Sequence, residues 1–148
     1  MSDPSKLDRL LDLRRHEEQR RTVELALARQ ALDDAEAALT KLQEQRHEVE
    51  RVLDEVAGES VGQVQTLRLV LEQLDVGIQN ANTVRALAAA TTAEKEEQYR
   101  QASRNRETLE RIVVPRHEAA RALERIAERK QEDEAALTRF RSQGHRVS

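Results

Sequence analysis

The segment Ala57-Gly58-Glu59-Ser60-Val61-Gly62 is the one clear interruption in a chain otherwise written in helix-favouring residues. Gly58 suits a left-handed residue that ends one helix, and Ser60 with Gln63 has the Ser-x-x-Gln spacing of a capping box that opens the next. A turn this short sends the second helix back along the first, so the segment predicts the tip of an antiparallel hairpin.

On the N-terminal side, Ser2, Asp3, Pro4 and Ser5 form a start signal, with Asp3 capping free amides and Pro4 at a first helical position that needs no N–H. From there Leu7, Leu11, Leu25, Ala28, Leu32, Ala35, Leu39, Leu42, Val49, Leu53 and Val56 occupy the a and d positions of about seven heptads. The same register places Arg14, Glu18, Arg21 and Arg46 on the seam, where an unpaired charge is costly. Two readings stay open for the first three: long stems lying along a loosened seam with their heads in water, or a contact with another protein.

On the other side, Val64, Leu67, Leu71, Leu74, Ile78, Ala81, Ala88, Tyr99, Ala102 and Leu109 recur in steps of three and four, with Arg85, Thr92, Lys95 and Arg106 as polar seam positions. If the chain doubles back at Glu59 and Ser60, residue i faces roughly residue 119 − i. Two Ala-rich zones then fall opposite each other, Ala26 to Leu42 and Gly77 to Ala93, and small side chains there bring the helices close. Pro115 falls opposite Pro4, so the continuing stripe of Ala119, Ala120, Leu123, Ile126, Ala127, Leu137 and Phe140 has no partner inside the hairpin. An unpartnered apolar stripe calls for a partner protein, unless Pro115 kinks the chain and folds this segment back as a third helix.

The expected fold is therefore all-α: a long antiparallel two-helix coiled-coil hairpin with a C-terminal helical overhang, in a single elongated domain over residues 1–148. Its expected parts are helix one at about 4–57, a tip at 58–62, helix two at about 63–142 and a polar tail at 143–148. Composition agrees, since 38% apolar and 36% charged residues come with one Tyr, one Phe and no Trp, too few aromatics for a globular core.

The net charge of −3 arises from 25 basic and 28 acidic residues interspersed along the chain, which leaves no single-sign block for nucleic acid or an anionic membrane. No apolar run approaches the ~20 residues of a membrane span, and no basic-then-apolar leader pattern opens the chain; cysteine is absent. These features lead us to expect a cytoplasmic protein without direct membrane insertion.

Catalytic patterns are missing as well. The four glycines, Gly58, Gly62, Gly77 and Gly144, are isolated, and none precedes the Gly-Lys-Ser/Thr of a phosphate loop. His16, His47, His117 and His145 are scattered without the second histidine that a helical zinc site needs. Carboxylates on a two-helix rod have no water-excluding pocket around them, so we expect no enzyme, no metal and no cofactor.

The opening Leu7-x-x-Leu10-x-x-Leu13-Arg14-x-x-Glu17-Glu18, the middle Leu67-x-x-x-Leu71-x-x-Leu74-Asp75-x-x-Ile78 and the ending Glu128-Arg129-Lys130-Gln131-Glu132-Asp133-Glu134 resemble the flagellar export protein FliJ family over nearly the whole chain. The resemblance implies a non-enzymatic coiled coil like the central stalk of rotary ATPases, monomeric, working in flagellar type III export at the cytoplasmic side of the inner membrane. Its implied partners are the hexameric export ATPase, whose hole it enters and whose ring formation it promotes, the cytoplasmic domain of the export gate, and chaperones of late export substrates.

Carried onto this sequence, the resemblance assigns the ATPase contact to Leu10, Arg14, Glu18, Arg21, Leu123, Ile126, Lys130, Asp133 and Leu137. It assigns the gate contact to Leu42, Gln45, Val49, Val70, Leu74 and Gly77, although family members often carry aromatics where this chain has Gln45, Val49 and Val70. Two other readings share the architecture: the stalk of a virulence-type secretion system, and a coiled-coil scaffold or dimerisation module unrelated to secretion.

Overall fold

The computed structural model describes the backbone of residues 4–147 and the side chains of residues 6–144. Helix α1 covers Pro4–Val56 and helix α2 Val61–Val147, and no strand occurs among the described residues. The chain is an all-α hairpin of two long helices packed against each other, as its periodicity predicts.

The turn forms as the sequence reads. Gly58 adopts φ +95°, which a Cβ disfavours, and Glu59 N–H closes the turn on Val56 O at 3.0 Å. Ser60 caps α2: its Oγ accepts from Gln63 N–H at 3.4 Å, while its carbonyl accepts from Val64 N–H at 3.2 Å. Among the described residues, only this half of the expected capping box is made. Asp3, the expected cap of α1, lies outside the described residues.

Contacts group the chain into two units, Met1–Arg15 with Arg104–Ser148, and His16–Ser103. In the His16–Ser103 unit, Leu25, Ala28, Ala35 and Leu39 of α1 and Thr92 and Ala102 of α2 are buried. The remaining apolar seam positions there, from Leu32 to Val56 and from Val64 to Tyr99, are half-buried. A two-helix contact covers each side chain from one side only, and no described side chain is fully buried.

Pairing in this unit follows the expected register. Leu42 packs against Gly77, Glu24 meets Lys95 and Arg21 meets Gln98, all on the 119 − i relation, while Thr92 Oγ1 reaches Ala28 O at 3.2 Å. The small residues do bring the backbones together, because a side-chain hydroxyl of α2 touches a main-chain carbonyl of α1.

In the Met1–Arg15 with Arg104–Ser148 unit, Leu11, Leu109 and Val113 form a buried cluster with Leu7 packed against it. Val113, at 3% exposure, is the most buried of the three, although the seam positions read from the sequence stop at Leu109. Helix α2 runs through Pro115 without interruption. The proline forgoes a bond to Arg111 O at a cost of about 3 kcal/mol, which a helix propagating on both sides absorbs.

Helix α2 also passes the polar residues 143–147, where the sequence reading ends it. A lone Gly144 costs only about 1 kcal/mol in a helix interior. From 114 to 144 every residue but Ala122 is exposed. Helix α2 thus keeps its secondary structure over a long stretch that buries almost nothing.

Candidate functional site

Ion pairs organise the polar seam positions. Arg21 donates to Glu17 at 3.1 Å, Glu24 at 3.0 Å and Gln98 Oε1 at 2.9 Å, and Lys95 reaches Glu24 at 3.4 Å across the helices. The hydrogen bond from Arg21, reinforced by the charge of Lys95, holds the Glu24 carboxyl below its ordinary value despite partial desolvation. Arg21 is therefore a knitted polar layer of the seam, and Thr92 lies in the layer next to it. Arg46 likewise binds Asp75 at 2.6 Å and also pairs with Glu50.

The Met1–Arg15 with Arg104–Ser148 unit has its own network. Arg106 donates to Glu110 at 2.8 Å and Arg15 reaches the same carboxylate at 3.3 Å; Arg106 first, then Arg15, pulls the Glu110 carboxyl below its ordinary value. His117 Nε2 lies 2.5 Å from Asp8 Oδ1, among the described residues the cross-helix polar contact furthest along α2.

Of the residues implicated in ATPase contact, Leu10 is exposed and Arg14 half-buried beside the cluster of Leu11 and Leu109. Leu123, Ile126 and Leu137 are 68%, 65% and 55% exposed, with Lys130 and Asp133 exposed between them. This α2 group begins past His117, so it lies apart from Leu10 and Arg14 within the same unit. Glu18 and Arg21 belong to the His16–Ser103 unit, both half-buried.

The residues implicated in gate contact all fall in the His16–Ser103 unit. Gln45 is exposed, whereas Leu42, Val49, Val70, Leu74 and Gly77 are half-buried in the seam, with Leu42 Cδ1 3.8 Å from where a Gly77 Cβ would stand.

The structure adds a surface that the heptad reading missed. Leu10, Leu27, Leu69, Val76, Leu87 and Ile112 are exposed; Leu10 and Ile112 directly precede the buried Leu11 and Val113, while Leu69 and Val76 come two positions before the seam residues Leu71 and Ile78. Leu10 and Ile112 thus widen the apolar face beside Leu11 and Val113 as a shoulder in solvent, while Leu69 and Val76 stand on the outer side of α2. The signal was present in the sequence as adjacent apolar pairs, which a strict a and d count merges into one position.

Chemically, this surface offers docking. Further along α2, Ala122, Arg125, Ile126, Arg129, Lys130 and Asp133 line an open groove on the exposed stretch after His117. Every carboxyl lowered below its ordinary value owes this first to a paired arginine, not to an enclosed pocket. Among the described residues no group of three or more His, Cys, Asp or Glu could hold a metal ion, and no helix is long and apolar enough to cross a membrane.

Neither the curated proteins nor the solved structures hold a match to this sequence. A family model described as the flagellar FliJ protein matches residues 3–145. That span takes in α1, the turn and α2 as far as residue 145, and the chain belongs to the flagellar FliJ protein family.

Proposed function

We propose that this protein is a non-enzymatic stalk and adaptor of the flagellar type III export apparatus, acting from the cytoplasmic side of the inner membrane. One end of the hairpin enters the ring of the hexameric export ATPase and promotes its assembly and activity. The flank nearer the turn meets the export gate, and the protein engages chaperones of export substrates. The observation that carries this reading is the stripe of Leu123, Ile126 and Leu137, apolar and exposed on a helix whose family is flagellar.

An exposed apolar stripe on a regular helix is what a helix-in-groove or ring contact requires, because the docking face is already ordered before the partner arrives. Leu10, Arg14, Glu18 and Arg21 complete the ATPase contact in this reading, with Lys130 and Asp133 setting its register. For the gate, Leu42, Gln45, Val49, Val70, Leu74 and Gly77 mark the flank. The exposed neighbours Leu69 and Val76 supply apolar surface there that the half-buried seam residues lack. The family is described as flagellar, which favours this apparatus over a virulence-type system.

Replacing Leu123 and Ile126 together by Asp tests the reading. Both side chains are mostly exposed, so circular dichroism should show helicity unchanged. Stimulation of the export ATPase should fall at least about tenfold, the loss expected when two central apolar anchors go. Full stimulation by the double variant would end the proposal, and so would unfolding of the hairpin.

A further inference from the structure

Beyond His117 no described residue of α2 takes part in an ion pair, although charged side chains fill the stretch. Along it Leu123, Ile126, Lys130, Asp133, Leu137 and Phe140 recur in steps of three, four, three, four and three, the a and d positions of a seam. All six are exposed, Phe140 at 74%. Two charged residues at the centre of an apolar seam are costly unless the occupant answers them.

We propose that the stripe is a self-docking face, on which two copies of this chain pair antiparallel about a two-fold axis between Gln131 and Glu132. The stripe reads the same in both directions except that its central charge changes sign. Antiparallel pairing sets Leu123 level with the second copy's Phe140, Ile126 with its Leu137 and Lys130 with its Asp133. The two-fold axis makes each contact twice, so two reciprocal ion pairs form inside a frame of four apolar layers. Parallel pairing would set Lys130 against Lys130 and Asp133 against Asp133.

The flanks suit close approach. Ala120 and Ala127 lie on one side of the stripe and Ala122 and Ala136 on the other, and one turn further out Ala119 falls level with the second copy's Gly144. The seam from Leu123 to Phe140 is about 27 Å long at 1.5 Å per residue, on a helix about 10 Å across. A contact of that size covers a few hundred Å² per copy, below the ~800 Å² per partner of a stable complex. The pair is weak and reversible, so that dilute solution holds the monomer that the family resemblance implies.

Sedimentation equilibrium of the full chain over a series of concentrations tests this. The average mass should climb from 16.9 kDa toward twice that value as concentration nears the millimolar range. Lys130→Asp sets two acids against each other and should hold the mass at that of one chain; Asp133→Lys, which sets two bases together, should do the same. The combined K130D and D133K chain should recover the dimer.

Orientation is read by cross-linking, since the chain has no cysteine of its own. A mixture of Ile126→Cys and Leu137→Cys chains should form disulfide-linked pairs faster than either chain alone. Three results would each overturn the proposal: a constant monomer mass at every concentration, a mass rise indifferent to Lys130→Asp, or self-linking of Ile126→Cys that outpaces the mixture. None of these measurements involves an ATPase, so their failure leaves the proposed function standing, and loss of ATPase stimulation leaves the pairing standing.

Discussion

At the scale of single residues, Thr92 shows how closely the two helices approach in the His16–Ser103 unit. Its hydroxyl proton is shared between Ala88 O at 2.9 Å in its own helix and Ala28 O at 3.2 Å in the other. Both carbonyls already belong to helix ladders, so the hydroxyl matters chiefly as a small polar spacer that costs nothing to bury. Thr92→Ser should change stability by less than about 1 kcal/mol, whereas Thr92→Leu must push the backbones apart and should destabilise by about 1–3 kcal/mol, as read by urea unfolding. Thr92 was legible in the sequence as a seam position, because the heptad step lands on it. Its cross-helix bond was not, since periodicity carries no information about interaxial distance. Val113 marks the opposite failure: the seam read from the sequence stopped at Leu109, although one further step of four lands on Val113.

Among the elements, α2 bends two rules of helix composition, with Pro115 and Gly77 both inside it. Gly77 is the more revealing. A Cβ there would sit 3.8 Å from Leu42 Cδ1, an ordinary van der Waals distance, and the residue is helical with no positive φ. The fold itself therefore does not require glycine at this position. Gly77→Ala should raise stability by about 1 kcal/mol through helix propensity, with a small gain from the new contact to Leu42, measured as an upward shift of the thermal midpoint. If the gate contact runs over this part of α2, the same change tests whether a partner's approach needs the missing methyl. The turn was the most legible element, because Gly58, Ser60 and Gln63 each specify one local bond or dihedral. The helix ends and the shoulder were less so: propagation carries a helix past weak breakers, and adjacent apolar residues look like one stripe until each is assigned a face.

For the molecule as a whole, the seam is thin and its polar layers matter in proportion. Glu24, Glu48 and Glu110 are held below the ordinary carboxyl value, each first by a hydrogen bond from an arginine: Arg21, Arg51 and Arg106. A carboxyl with a lower value folded than unfolded stabilises the fold above the unfolded value and loses that contribution as pH falls through the folded one. Thermal stability should therefore hold from neutral pH down to the ordinary carboxyl value of about 4.5 and decline below it. Glu24→Gln and Glu110→Gln should lie below the parent at neutral pH and converge with it in acid, followed by circular dichroism at each pH. All three pairs are solvent-accessible, so added salt should narrow the neutral-pH gap. The absence of aromatics and the interspersed charge made the fold class plain from composition. Of the residues proposed for docking, the stripe of Leu123, Ile126 and Leu137 was legible in the sequence as an apolar repeat without a mate, whereas the gate set came through family resemblance, because exposure, and not residue type, separates a seam leucine from an available one.

The exposed stripe of α2 after His117 has a practical corollary for anyone wishing to block this protein. A drug-sized compound holds on by hiding most of its area inside a concavity, and a ridge of apolar side chains along a helix gives it nowhere to hide. A constrained amphipathic peptide, itself a helix of several turns with apolar anchors on one face, can run alongside Leu123, Ile126 and Leu137 and is the form of inhibitor such a surface would accept.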